Sequence, residues 1–426
     1  MKSKIALMLL AVSLLGLSIK TMSAYAENTF SEESNVNPAE KENSNSKKIM
    51  YPVNVLENYK KALAASNSDL AAKCFKFDKA DAELADLYVK KQIAIYRFFG
   101  KMDEKFGENW RTKIKTPILQ DLILSLTLTR DVKNNFSIPN FSNIGVANVL
   151  DHDCNFVIYK TGSQWEIGTD FDLLKKAEKE KYADWLVANI RSIKKASRKI
   201  LKAKDITAEG ALKQFQSAYK KATYDEKTQK PIFSDMLGQV RIDQSTPKKT
   251  MKTFFLKSFS GKYCLNEFSK GESFSKKTLT MSMRIYLEGI KLAGIINVKF
   301  PGKKFKEKRM PFLIPEMLDN VINSIDESSL TKKSTELKAN PVSFVKKEGK
   351  WYFYFPEKKM TPEEKEHYQE VRKAQTAMME KMIHIYKKLF EALCKKAREK
   401  NIKIAELERF SLEKLEEFQK EMRNNM

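Results

Sequence analysis

The sequence predicts an α+β chain in which one architectural unit occurs twice in tandem, and three observations carry that reading. The segments VLENYKKALAASNSDLAAKCFKF and TMKTFFLKSFSGKYCLNEF share an order: a short amphipathic helix, a polar break, and a second short helix carrying a Cys followed by aromatics. Each is followed by an apolar stretch of helical spacing, around Leu84–Phe99 and around Thr278–Ala293. Each copy then closes on a strand pair, CNFVIYKTGSQWEIGTD and VSFVKKEGKWYFYFP, in which Phe156, Gly162 and Trp165 are answered by Phe344, Gly349 and Trp351. Alternating apolar residues give each strand one buried face, and the glycine supplies a turn that needs positive φ. The period read this way is about 175–180 residues, the length of a domain rather than of a solenoid repeat.

In chain order, the first element is an address. Lys2 and Lys4 precede an apolar run from Ile5 to Ile19, and Ala24-Tyr25-Ala26 supplies a small-x-small cleavage pattern. Residues 1–26 are therefore expected to be a signal peptide cleaved after Ala26, and the mature chain to be exported, periplasmic or extracellular. Lys20 stops the run short of the about 20 apolar residues that a membrane-spanning helix needs. No Cys lies in this segment to accept a lipid. Residues 27–50, rich in Ser, Asn, Glu and Lys, are expected to be a disordered leader.

The first domain is expected over 51–170 and the second over 247–357. A helical hairpin follows each, at 171–221 and 358–426, and a linker fills 222–246, where charges mix with Pro231 and Gly238. Thr361-Pro362-Glu363-Glu364 combines an N-cap, a proline at the first helical position and a capping-box Glu. A helix from there runs unbroken to about Lys400, roughly 57 Å at 1.5 Å per residue. Tyr368, Val371, Met378, Met382, Ile385, Leu389 and Ala392 form a coiled-coil-like seam on it. Ile404, Leu407, Leu415, Phe418 and Met422 can fold back against that seam, and self-association is the other way to cover it. Leu173–Leu201 followed by Thr207–Tyr219 repeats the plan after the first copy.

A helix, a short helix reading AAKCF, a long helix and strands ending in Phe-Val…Gly-x-Trp resemble the nuclear transport factor two-like superfamily, the cone-shaped, ketosteroid-isomerase-like fold, in its secreted bacterial branch of unknown function. The resemblance covers roughly 53–170 and 247–357 and leaves out the helical tails. It implies two tandem cone-like domains, each a set of helices on a curved antiparallel sheet around a pocket. Its members include enzymes, transport adaptors and assembly modules, so it implies architecture more than activity.

Candidate chemistry is sparse. The three histidines, His152, His367 and His384, have no zinc-ligand spacing, and there is no phosphate-cradling glycine loop and no nucleophile elbow. Asp151-His152-Asp153-Cys154 is the one dense polar cluster. It reads either as a metal or acid–base trio or as a polar turn before a strand, and the turn is preferred because Ala339-Asn340-Pro341 stands in the second copy. No catalytic, metal or cofactor-binding residue is assigned. Among the four cysteines, Cys74 and Cys264 are read as equivalent, Cys74–Cys154 is the one pairing worth entertaining, and buried free thiols are the preferred outcome.

Charge gives the remaining candidate. Lys and Arg number 78 against 54 Asp and Glu, a formal net charge of +24. Loss of Lys2, Lys4 and Lys20 with the signal lowers it to +21. The excess concentrates in Arg191–Lys204, where Arg191, Lys194, Lys195, Arg198, Lys199, Lys202 and Lys204 occur without an acid, and in residues 299–309 with Phe300 and Phe305 interleaved. Such a helix fits anionic envelope polymers or a lipid surface, or simply forms a solvated face. Nucleic acid is disfavoured, because export removes the chain from it and only 12 of the basic residues are Arg, the side chain with the bidentate fork. The expected role is an exported, non-catalytic binding or assembly module. The alternative is a small-molecule-binding cone with isomerase- or hydrolase-type activity, for which each cone needs a hollow interior with convergent ionisable groups.

Overall fold

The computed structural model describes residues 51–425 except 142, 229, 234–235, 261–264, 272, 304–317, 319–320, 332, 339–341 and 356–360. The expected signal and leader, residues 1–50, lie outside the described residues. The class is α+β, with two sheets that are both mixed. Two compact units divide the chain: Met50–Ile138 with Asn143–Gln239, and Val240–Met426 with Pro139–Ser142.

Up to Thr223 the order is α1 (Pro52–Ala65), α2 (Ser68–Ala72), β1 (Phe75–Lys76), α3 (Ala82–Phe106), α4 (Trp110–Lys113), α5 (Gln120–Leu128), α6 (Val132–Asn135), β2 (Phe136–Ser137), β3 (Asn140–Phe141), β4 (Ile144–Val149), β5 (Asn155–Thr161), β6 (Gln164–Gly168), α7 (Lys176–Lys202) and α8 (Ala208–Thr223). From residue 247 it is α9 (Pro247–Phe259), α10 (Leu265–Phe268), β7 (Ser269–Gly271), α11 (Ser273–Lys299), β8 (Glu336–Leu337), β9 (Ser343–Lys347), β10 (Lys350–Phe355), α12 (Pro362–Ala397) and α13 (Ile404–Asn425). The two orders match: short helix pair, short strand, long helix, strand pair, helical hairpin. Pro52 and Pro247 both sit at the first helical position, where a missing N–H costs nothing. Ser66, at positive φ, ends α1, and Asn67 caps α2 by accepting from the Leu70 amide at 2.9 Å. Elements of like kind stand about 190 residues apart in the chain, farther than the expected period of about 175–180.

The strand order is β1-β6-β5-β4-β2 in one sheet and β7-β10-β9-β8 in the other. An all-antiparallel sheet was the expectation, and the structure corrects it. β1 runs parallel to β6, pairing Phe75 with Ile167, and β7 runs parallel to β10, pairing Ser269 with Phe353. The short first strand enters beside the last, and the long helix and the strands after it form the crossover that a parallel pair requires. Phe268 precedes β7 as Cys74 precedes β1; Cys264, expected as the counterpart of Cys74, lies outside the described residues. The closing turns also differ: Gly162 alone has positive φ in the first, whereas Glu348 and Gly349 both do in the second.

Aromatic rings fill the space between helices and sheet. Tyr59 meets Phe75 edge-on at 5.0 Å, Phe75 meets Tyr88 at 5.9 Å, and Tyr88 meets Phe171 at 6.1 Å. In the C-terminal unit Phe254 meets Phe353 at 5.1 Å and Phe268 at 5.7 Å, while Phe344 meets Phe353 at 5.6 Å. Each such pair adds about 0.5–1.5 kcal/mol beyond the area it buries.

In the N-terminal unit α3 and α7 run parallel. Lys179 pairs with Asp81 at 2.5 Å at one end, and Lys105 donates to the Leu201 and Ala203 carbonyls at 3.1 and 2.6 Å at the other. α8 folds back over this pair, and Ile193, Ile200, Leu212, Phe215 and Tyr219 join Ile95, Phe98, Phe99 and Met102 in one core. The hairpin of α12 and α13 closes in the same way: Tyr386 and Phe418 meet at 4.7 Å, with Leu407 and Leu415 buried. The seam on α12 is covered only in part, since Ile385 and Leu389 are buried while Val371 and Met378 stay exposed.

The expected linker is tied down. Residues Met236 and Leu237 are buried, the Gly238 amide donates to the Gly168 carbonyl at 2.7 Å, and the Val157 amide donates to the Gly238 carbonyl at 2.8 Å. Further on, the Trp351 amide donates to the Gln244 carbonyl at 2.8 Å, and the Gln244 side-chain amide donates back to the Trp351 carbonyl at 2.9 Å.

Candidate functional site

The basic stretch forms the last three turns of α7 and the residues just after it. Ile193 and Ile200 point into the core, and Tyr182, Leu186 and Asn189 continue that buried stripe. At 3.6 residues per turn, Arg191, Lys194, Lys195, Arg198, Lys199 and Lys202 fall on the opposite side within an arc of about 140°. All six are exposed, as is Lys204 beyond the helix end. The six span about 16 Å along the axis, roughly one cation per 3 Å. Lys105 extends the patch, because its ammonium caps the helix C-terminus, where free carbonyls carry partial negative charge. Among the described residues no ion pair neutralises any of the seven, whereas some exposed lysines elsewhere are paired: Lys90 with Asp86, Lys213 with Glu209, Lys388 with Glu421.

The other candidates come out as follows. Of the second basic stretch, Lys303 is exposed, and residues 304–309 lie outside the described residues. Asp151, His152 and Asp153 form an exposed turn between β4 and β5, with Asp151 at φ 68° and the Asp153 carbonyl accepting from Gln120 at 2.9 Å. No group of metal-binding side chains gathers there or elsewhere among the described residues. The comparison residues 339–341 lie outside the described residues, as does the His367 side chain, and His384 is exposed. Cys74, Cys154 and Cys394 are buried free thiols, so Cys74 and Cys154 are not bridged. Burial pushes the Cys74 thiol up to about 11 and the Cys394 thiol up to about 12. No described helix is long and apolar enough to cross a membrane.

One polar cluster escaped the sequence reading. Lys91 on α3 is 2% exposed, and its ammonium lies 5.0 Å from the Tyr88 ring centre and 5.6 Å from that of Trp185. Asn189, one turn beyond Trp185 on α7, is fully buried, and neither atom of its amide has a hydrogen-bond partner; the Trp185 indole N–H also lacks one. The signal available was an asparagine at a core position of an amphipathic helix. Comparison with protein-family models, with curated proteins and with solved structures finds no match.

Proposed function

We propose that this chain is an exported, non-catalytic module of the cell envelope or extracellular space, built from two tandem cone-like domains with helical hairpins, and that it attaches to anionic polymers through the basic face of α7. The observation that carries this reading is the seven exposed cations of Arg191–Lys204, which have no ion-pair partner among the described residues. A helix that inserts into lipid needs its apolar face free, and that of α7 is buried in the core, so the contact rests on charge alone. The rings that fill the space between helices and sheet in each unit favour this role over a small-molecule pocket. Export rests on the basic, apolar and small-x-small pattern of residues 1–26.

The test is retention of the mature chain on immobilised heparin, a sulfated polymer. It should bind at low salt and elute below about 0.5 M, where the Debye length falls to a few Å. Reversing Arg191, Lys195, Arg198 and Lys202 to Glu should abolish retention, while the same number of reversals at Lys60, Lys220, Lys248 and Lys346 should only weaken it. Equal loss from both sets would reduce the effect to net charge and sink the proposal.

A further inference from the structure

The seam between α3 and α7 holds an ammonium group, that of Lys91, with no counter-ion among the described residues. Three contacts fix the relative register of these parallel helices: Asp81 with Lys179, and Lys105 with Leu201 and Ala203. The same offset puts Lys91 level with residues 187–189, and so with Asn189. Around them stand the rings of Tyr88, Trp185, Tyr182 and Phe233, with Tyr182 stacked on Trp185 at 5.4 Å and Phe233 edge-on to both.

We infer that this seam binds one monatomic anion of halide size, held by the Lys91 ammonium and the Asn189 side-chain N–H. The chemistry of the unpartnered groups points that way. An ammonium offers three N–H donors, an amide two and an indole one, and these outnumber the side-chain acceptors of the cluster, the Asn189 oxygen and the Tyr88 and Tyr182 hydroxyl oxygens. Among the described residues no carboxylate pairs with Lys91, and two ring faces supply only part of what a buried cation loses on leaving water. Water satisfies N–H groups but leaves the charge in place; an anion does both. Such a cluster is not demanded by this arrangement of helices. The corresponding pair in the C-terminal unit, α11 and α12, is lined by buried Leu292, Ile296, Ile385, Leu389 and Phe390, with no buried ammonium among its described residues. Trp185 and Phe233 are only half-buried and form the side from which an ion enters.

Crystals of the full mature chain grown in sodium bromide test this. The expected result is an anomalous difference peak within about 3.5 Å of both Lys91 Nζ and Asn189 Nδ2, the reach of a hydrogen bond to a large anion. A site holding only a water, with no anomalous signal, would overturn the inference, and this measurement needs no variant to fold. In solution, bromide replacing gluconate at constant ionic strength should raise the melting temperature of the wild type and not that of Lys91→Met. A bromide dependence unchanged in Lys91→Met would also overturn it. The heparin result bears on a different face of α7, so either proposal can fail without the other.

Discussion

Phe98 and Phe215 lie face to face, ring centres 3.7 Å apart and planes within 8°, and so join the long helix of the first unit to the returning arm of its hairpin. Both are fully buried and both touch Phe99. Phe215→Ala should destabilise the N-terminal unit by about 3–5 kcal/mol, the transfer loss plus an unfilled cavity. Phe215→Leu should cost less than half as much. Urea unfolding followed by the fluorescence of Trp110, which stacks on Phe99 at 6.4 Å, reads this, with a fall in midpoint and little change in slope.

Gly238 and Gly168 approach so closely that a Cβ on Gly238 would lie 2.7 Å from the Gly168 carbonyl carbon. That neighbour is backbone and has no rotamer to give. Gly238→Ala should therefore cost about 1–3 kcal/mol, as overfilled cores do. A Cβ on Gly168 would meet the Tyr159 ring at 2.7 Å as well as nearby backbone. Gly168→Ala should be partly rescued by Tyr159→Ala, and Gly238→Ala should not; a double-mutant cycle on melting temperatures separates them.

The buried thiols predict an alkaline limit. Burial disfavours the thiolate and pushes Cys74 up to about 11 and Cys394 up to about 12, from an ordinary 9.0. Well below pH 9 these groups are largely protonated in the folded and the unfolded chain alike, and they contribute little pH dependence. Above it the unfolded chain loses protons that the folded chain retains, so stability falls as pH rises towards 11 and 12. Iodoacetamide at pH 8 should leave both thiols unmodified in the native protein and alkylate both in urea, as read by mass spectrometry of peptides.

Lys105 holds the end of α7. Lys105→Met removes two hydrogen bonds to the Leu201 and Ala203 carbonyls and a cation at the negative end of the helix. The expected cost is about 1–2 kcal/mol, confined to the last turn. Hydrogen exchange should accelerate at the amides of residues 199–203 and stay unchanged near Tyr182.

Much of this architecture is legible in residue order because the elements concerned carry their own signals. Pro362 with its capping pattern fixes the start of α12, and alternation around Trp165 and Trp351 fixes both closing hairpins. β1 and β7 were not legible, since strands of two and three residues show no period and parallel pairing is decided by a distant partner. The arc of cations on α7 could be counted off the sequence, because exposure follows from the two isoleucines opposite. Lys91 could not, because a lysine on a long helix ordinarily reaches solvent, and only the parallel neighbour at Trp185 and Asn189 encloses it.

The extended segment around Gly238 also determines how the protein can be dissected. It satisfies the Val157 amide and the Gly168 carbonyl, groups that would otherwise stand open along the sheet. A fragment ending where the hairpin ends, near Tyr224, would expose them together with the apolar side chains that Met236 and Leu237 cover. Strand edges left open in this way recruit other chains, so that fragment should aggregate, whereas one carried through Gln239 should stay monodisperse.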